Sequence, residues 1–221
     1  LSFALGEGAS VHQLGYGSHA EVDLAWFHAT RVTEVVPDGP RRLVVTLATD
    51  APDGRTIELA IEARPDATVA LEATPSDLTG VVATAASFTN DAEQHFRGVA
   101  ERSARVDHAG HEVVTWNEEG PFSSGDLGVA TDPVFGDTWQ GPAFFPGTNF
   151  AMPWFLSSRG YGFLLDSDWL NGFELGSDRP DSWRVTTREP ALRARLYAGP
   201  DPADALRRFT ADTGRQPEPA E

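Results

Sequence analysis

Apolar and polar residues alternate with period two through much of the first half of the chain. That spacing puts one face of a strand in a core and the other in water. Leu43, Val45 and Leu47 alternate with Arg42 and Thr46; Ile57, Leu59 and Ile61 alternate with Thr56, Glu58 and Glu62; Val69 and Leu71 continue the spacing. Between these runs stand Pro37-Asp38-Gly39, Pro52-Asp53-Gly54, Arg64-Pro65-Asp66 and Thr74-Pro75-Ser76-Asp77. Proline presets φ for one turn position, glycine permits positive φ, and aspartate bonds back to the backbone. Short strands separated by such turns predict a mainly-β fold, an antiparallel sandwich or barrel in which each sheet buries one face.

The pattern changes over residues 120–150, which hold Gly120, Gly125, Gly128, Gly136, Gly141, Gly147 and four prolines without sustained periodicity. Phe122, Phe135, Trp139, Phe144, Phe145 and Phe150 argue against disorder there. An ordered long loop with short strand pieces is expected. Strands resume at Trp154–Leu156 and Tyr161–Leu165 around the hairpin turn Ser157-Ser158-Arg159-Gly160, and further strands fit Gly172–Leu175, Trp183–Thr187 and Leu192–Tyr197. In the last of these, Leu192, Ala194 and Leu196 alternate with Arg193, Arg195 and Tyr197. A single helix follows, with Asp201 as N-cap, Pro202 in the first position, Asp204 favouring the dipole, Leu206 and Phe209 on one face and Gly214 as the stop. The expected layout is a β-sandwich over 1–200, the helix over 201–214 and a linker over 215–221.

Composition narrows the partners. The chain has 221 residues, 40% hydrophobic and 23% charged, which suits one large domain or two small ones. Its formal net charge is −16, which repels a phosphate backbone and an anionic membrane face, so neither nucleic acid nor membrane is expected as a partner. All 17 basic residues are Arg. No cysteine is present, which removes disulfides, thiol nucleophiles and cysteine-ligated zinc together. No apolar run approaches the roughly 20 residues of a membrane helix. The chain starts at Leu1-Ser2-Phe3 without a signal peptide, which favours a cytoplasmic location. It ends in Arg215-Gln216-Pro217-Glu218-Pro219-Ala220-Glu221, which reads as a linker severed from a further domain.

Catalytic groups are sparse. Ser157 and Ser158 lack a G-x-S-x-G elbow and read as a polar turn. His108 and His111 stand three apart around Gly110 without a third ligand, and read as solvated turn histidines. No metal or other cofactor is expected. Glu118 and Glu119 follow the strand Val113-Val114-Thr115, but adjacent strand residues point to opposite faces, so the two make a poor acid/base pair. Asp126, Asp132, Asp137, Asp166 and Asp168 could supply a partner. Trp116, Trp139, Trp154 and Trp169, with Asn117, Gln140 and Asn149, suit sugars, because an aromatic face stacks on the C–H face of a pyranose while amides and carboxylates bond its hydroxyls. Trp154 and Phe155 are expected in the core from their strand position, whereas Trp139 is the more exposed candidate.

The order of segments carries a resemblance. Arg97-Gly98-Val99-Ala100-Glu101-Arg102 precedes Asp107–Gly110, Val113–Asn117, the long loop, and Met152-Pro153-Trp154-Phe155-Leu156-Ser157-Ser158-Arg159-Gly160-Tyr161-Gly162-Phe163-Leu164-Leu165-Asp166. The helix and Thr213-Gly214-Arg215-Gln216-Pro217 come last. This series, over roughly residues 85–217, resembles the N-terminal domain of glycoside hydrolase family 31, the retaining α-glucosidases, α-xylosidases and sulfoquinovosidases. The resemblance implies a galactose-mutarotase-like β-sandwich packed on a (β/α)₈ catalytic barrel, with the nucleophile and acid/base aspartates in that barrel, after Glu221. Thr115-Trp116-Asn117-Glu118-Glu119 looks superficially like the family's nucleophile motif but lacks its Trp-x-Asp-Met core.

The resemblance further implies a loop reaching the barrel's active-site mouth, where an Asn-x-Asp acid contacts sugar hydroxyls. The matching positions are Asn117 and Glu119, with one methylene more than the family's aspartate. The expected substrate-binding residues are therefore Trp116, Asn117, Glu119, Trp139 and Gln140, with no catalytic residue in this chain. The Trp-x-x-Glu spacing is similar to the sulfoquinovosidase-like branch, which leaves an anionic substrate open. The implied partners are an α-linked glycoside or oligosaccharide and the catalytic barrel of the same parent chain. Two alternatives stand beside this reading: a free-standing carbohydrate-binding module using Trp139, and a mutarotase-type epimerase with His95 and His111 as acid/base groups.

Overall fold

The computed structural model describes residues 1–8, 12–14, 18–20, 24–99, 105–115 and 150–215. The strands are β1 (Ser2–Glu7), β2 (His12–Leu14), β3 (Ser18–Ala20), β4 (Ala25–Pro37), β5 (Arg42–Thr49), β6 (Thr56–Ala63), β7 (Thr68–Pro75), β8 (Val81–Thr89), β9 (Phe96–Gly98), β10 (His111–Thr115), β11 (Trp154–Ser157), β12 (Tyr161–Leu165), β13 (Asn171–Leu175), β14 (Ser182–Thr187) and β15 (Leu192–Ala198). One helix, α1 (Pro202–Thr213), closes the described chain. β2 and β3 form a small ribbon, and the other strands pair in the order β10-β13-β14-β8-β1-β4-β5-β6-β7-β15-β12-β11-β9. Every pairing is antiparallel, as the alternation predicts.

The alternating residues of the first half are cross-strand partners: Leu43 faces Ile61, Val45 faces Leu59, Leu47 faces Ile57, and Ile61 continues to Leu71. Rows of this kind are the stabilising unit of a sheet. β4 belongs to both halves of the order. Its residues Ala25–His28 pair with β1, and Ala29–Pro37 pair with β5. Two register shifts, between Ala29 and Arg31 and between Val32 and Glu34, bend it at the change-over. The additional residues are threonines: Thr30 Oγ1 donates to Ala48 O at 3.2 Å and Thr33 Oγ1 to Thr46 O at 3.0 Å. Bulges turn strands between layers in this way, and the hydroxyls satisfy the disturbed ladder.

The two halves pack face to face. Phe3, Phe173, Trp183 and Val185 of one half share a single buried cluster with Leu47, Ile57, Phe155, Phe163 and Leu192 of the other. At its centre the Trp183 indole stacks on Phe88 at 4.1 Å and meets Phe155 and Phe163 edge-on at 5.1 and 5.0 Å. Each such aromatic pair adds about 0.5–1.5 kcal/mol beyond its buried area.

A second cluster lies on the outer face of the β12–β15 region, beneath α1. Trp154 stacks on Phe209 at 3.9 Å and meets Tyr197 edge-on at 5.5 Å. Two expectations change here. Tyr197 is not an exposed neighbour of the arginines but fully buried, because the helix covers that face. The buried helix face is Ala205 and Phe209, four apart, whereas Leu206 is exposed. The caps are as read: Asp201 accepts from Asp204 N, Pro202 starts the helix, and the Gly214 N–H donates to Thr210 O.

The β11–β12 hairpin explains most of the motif over 153–166. Gly160 takes φ +82 in the turn, a conformation open to glycine. Ser157 Oγ accepts from Arg159 N at 3.0 Å and Ser158 Oγ from His95 N at 2.9 Å. Tyr161 Oη accepts from Gln94 at 2.6 Å, Arg159 pairs with Asp91, and Asp166 pairs with Arg195. The serine pair therefore builds a turn, as the missing elbow implied.

Candidate functional site

Trp116, Asn117, Glu119, Trp139 and Gln140 lie outside the described residues, as do Glu118, Asp126, Asp132, Asp137 and Asn149. The described chain stops at Thr115, the last residue of β10, beside Val114. Val114 lines a cavity of about 200 Å³ on the outer face of the sheet that holds β10, β13, β14, β8, β1 and the start of β4. Leu24, Trp26, Glu112, Leu170, Gly172, Glu174, Arg184, Thr186 and Arg188 also line it.

Strand register makes this cavity. Val113, Phe173 and Val185 point into the core, so Glu112, Val114, Gly172, Glu174, Arg184 and Thr186 point outward. Pairing aligns them in two rows: Glu112, Glu174 and Arg184 in one, Val114, Gly172 and Thr186 in the other. The next strands carry only small groups on this face. Ala83, Ala85 and Ser87 of β8 adjoin Gly6, Ala4 and Ser2 of β1, and Gly6 pairs with Trp26 of β4. β14 and β4 are three strand spacings apart, about 14 Å. Across that low floor the Arg184 guanidinium reaches over the Trp26 ring, 4.7 Å from its centroid. Such a cation–π contact adds roughly 0.5–2 kcal/mol.

Chemically, the lining combines two carboxylates, two guanidinium groups, one hydroxyl and one indole. Gly172 leaves the wall open: a β-carbon there would meet nothing within 4 Å. Sequence reasoning passes over these residues because they are scattered from position 24 to 188. The available signal is a charged residue between core residues of one strand, as Glu174 stands between Phe173 and Leu175.

The other candidates serve structure. Trp154 is buried beneath α1 and Phe155 in the core, while Trp169 is exposed. His108 is buried rather than solvated, and its N–H donates to Phe96 O at 2.9 Å. His95 pairs with Asp107, whose other oxygen accepts from Phe96 N and Ala109 N. Burial pushes the Asp107 carboxyl up, but hydrogen bonds from Ala109 N, His95 and Phe96 N together outweigh it and hold the group below its ordinary value. Among the described residues, neither His95 nor His111 lines the cavity, and no group of three or more His, Asp or Glu residues could hold a metal ion. No helix among them is long and apolar enough to cross a membrane.

No family model matches the chain. An α-xylosidase of Lactiplantibacillus pentosus, XylQ, is 26% identical over 122 residues, which are 55% of this chain and 13% of that protein. A GH31 family sulfoquinovosidase from E. rectale superposes with a TM-score of 0.72 at 18% identity, over 98% of this chain and 31% of its own. An uncharacterized Listeria monocytogenes EGD-e protein, lmo2446, superposes with a TM-score of 0.65 at 15% identity, over 90% of this chain and 24% of its own. The chain thus spans a third or less of the length of these relatives. Sequence and structure return the resemblance carried by residues 85–217: the chain is similar to the N-terminal domain of a glycoside hydrolase family 31 enzyme.

Proposed function

We propose that this chain is the non-catalytic N-terminal sandwich of a retaining α-glycosidase of carbohydrate metabolism. It packs on a catalytic (β/α)₈ barrel of the same parent chain and lends that barrel a substrate-binding loop. The carrying observation is coverage: 98% of this chain superposes on only 31% of the sulfoquinovosidase. An exposed apolar strip gives further support. Val32, Val35 and Leu43 lie 42–57% exposed on one face at the far end of the β4–β5 hairpin, as a face covered by another domain would.

In this reading, Trp116, Asn117 and Glu119, which follow β10 in sequence, contact the sugar with Trp139 and Gln140. Contacts remote from the reacting bond hold the glycoside in register for the barrel's carboxylates, so they act on rate as well as affinity. The test is Glu119→Ala in the parent enzyme. A fall in kcat/KM of about tenfold or more, about 1.4 kcal/mol, with the melting temperature unchanged supports the reading. Unaltered kinetics in a folded variant removes Glu119 from the site.

A further inference from the structure

We infer that Trp169 is a stacking platform for a neutral pyranose ring at the rim of the sandwich, beside the point where the chain leaves β10 for Trp116. Its indole is 63% exposed and, among the described residues, meets no other ring and bonds to nothing through its N–H. Single exposed apolar residues are ordinary. What sets Trp169 apart is the mount beneath it. The Trp169 N–H donates to Ser167 Oγ at 3.2 Å, and that oxygen shares a hydrogen bond with the buried Thr187 Oγ1 at 3.1 Å. Its carbonyl accepts from Nδ2 of the buried Asn171 at 2.7 Å. The next residue, Leu170, is buried, and its carbonyl accepts from Arg188 N at 3.1 Å. The crossover from β12 to β13 is thus fixed on both sides of an indole left in water. Such preorganisation spares a ligand the cost of ordering its site.

The neighbouring groups select the ligand. Asp166 is paired with Arg195, whereas the exposed Asp168 has no ion-pair or hydrogen-bond partner among the described residues. A carboxylate only accepts hydrogen bonds and an indole N–H only donates. An anion would be repelled by Asp168. A cation would suit the ring face and Asp168 but offers the indole N–H no acceptor. A sugar ring lays its C–H face on the indole while its hydroxyls donate to Asp168 and accept from the N–H. The choice of a sugar also rests on the proposed function, through position. Asn171, which holds the Trp169 carbonyl, is the cross-strand partner of Thr115, one strand spacing of about 4.8 Å away. The platform and the segment Trp116–Glu119 therefore start from the same edge.

The experiment is titration of the 221-residue chain with maltose and isomaltose, followed by indole N–H resonances and calorimetry, with spermidine as the cationic control. The Trp169 resonance is expected to shift with a neutral sugar, and affinity to fall at least about tenfold in Trp169→Ala. Trp169→Tyr, which keeps an aromatic face and a donor, restores binding. The melting temperature of Trp169→Ala stays unchanged, because the side chain already faces solvent. The inference is overturned if neither sugar moves the Trp169 resonance, if Trp169→Ala binds as well as the unaltered chain, or if only spermidine binds. Glu119→Ala separates the two readings. Binding lost there and kept in Trp169→Ala overturns the platform and leaves the loop standing; the opposite pattern establishes the platform whatever the kinetics say of Glu119.

Discussion

Trp154 occupies the space that a side chain at position 162 would need: a β-carbon on Gly162 would fall 1.9 Å from the indole Cη2. The ring lies flat over β12, with Phe209 of the helix stacked on it at 3.9 Å. The Gly162 in Tyr161-Gly162-Phe163 is thus a packing requirement for the helix. Gly162→Ala is expected to cost about 1–3 kcal/mol or more by overpacking, although alanine is otherwise the better strand residue. Trp154→Ala should cost about 3–5 kcal/mol through the cavity it leaves. Urea unfolding of both variants checks this; a Gly162→Ala chain as stable as the original would show that the indole moves aside freely.

Acid stability provides a second test. Asp212 on α1 accepts from Tyr197 Oη at 2.6 Å and from Arg195 at 2.7 Å, and Arg195 also holds Asp166 at 2.7 Å. The hydrogen bond from Tyr197, reinforced by Arg195, holds the Asp212 carboxyl below its ordinary value. A carboxyl lowered on folding stabilises the fold above its unfolded pKa, about 3.9, and loses that contribution as pH falls through the folded value. Asp212→Asn should therefore lower the melting temperature at pH 7, and the difference should begin to shrink below about pH 4 and vanish only below the lowered folded value. A difference that persists undiminished into acid would assign the effect to packing.

The exposed valines separate a domain surface from a mere surface. In the isolated chain, Val32→Asp with Val35→Asp should change stability by no more than about 0.5 kcal/mol per site, since both side chains already face solvent. In the parent enzyme the same pair should lower thermal stability by several degrees, because two charges would be buried against another domain. Equal melting temperatures for altered and unaltered parent enzyme would place the barrel against a different face.

What the sequence revealed follows from where alternation survives. Leu43, Val45, Leu47, Ile57, Leu59 and Ile61 alternate and pair in register, so β5 and β6 are legible. β4 is not, because its bulges put Val32 and Val35, three residues apart, on one face opposite Leu47 and Val45. β8 escapes notice because small residues line it on both faces. Tyr197 misleads because the helix that follows its strand folds back over the strand's outer face. The cavity residues share no motif beyond a charge such as Glu174 between core residues, since sheet order alone brings Trp26 to Arg184. The expectation for Trp116, Asn117 and Glu119 rests on family resemblance, and these residues fall outside the described ones.

The path of the chain through the sheet sets an order of assembly. From β4 to β7 each strand pairs with the next in sequence, whereas β1 must find β8, β8 must find β14, and β10 must find β13 past β11 and β12. Closing long loops costs entropy before any contact is gained, so distant pairings form late. The meander of β4–β7 is expected to protect its amides first in pulse-labelled exchange, with β10, β13 and β14 following. Early protection of β10 would reverse that order. The low floor and charged walls over Gly172 are then among the last surfaces to come into being, and a chain still growing through β14 has its meander without that face.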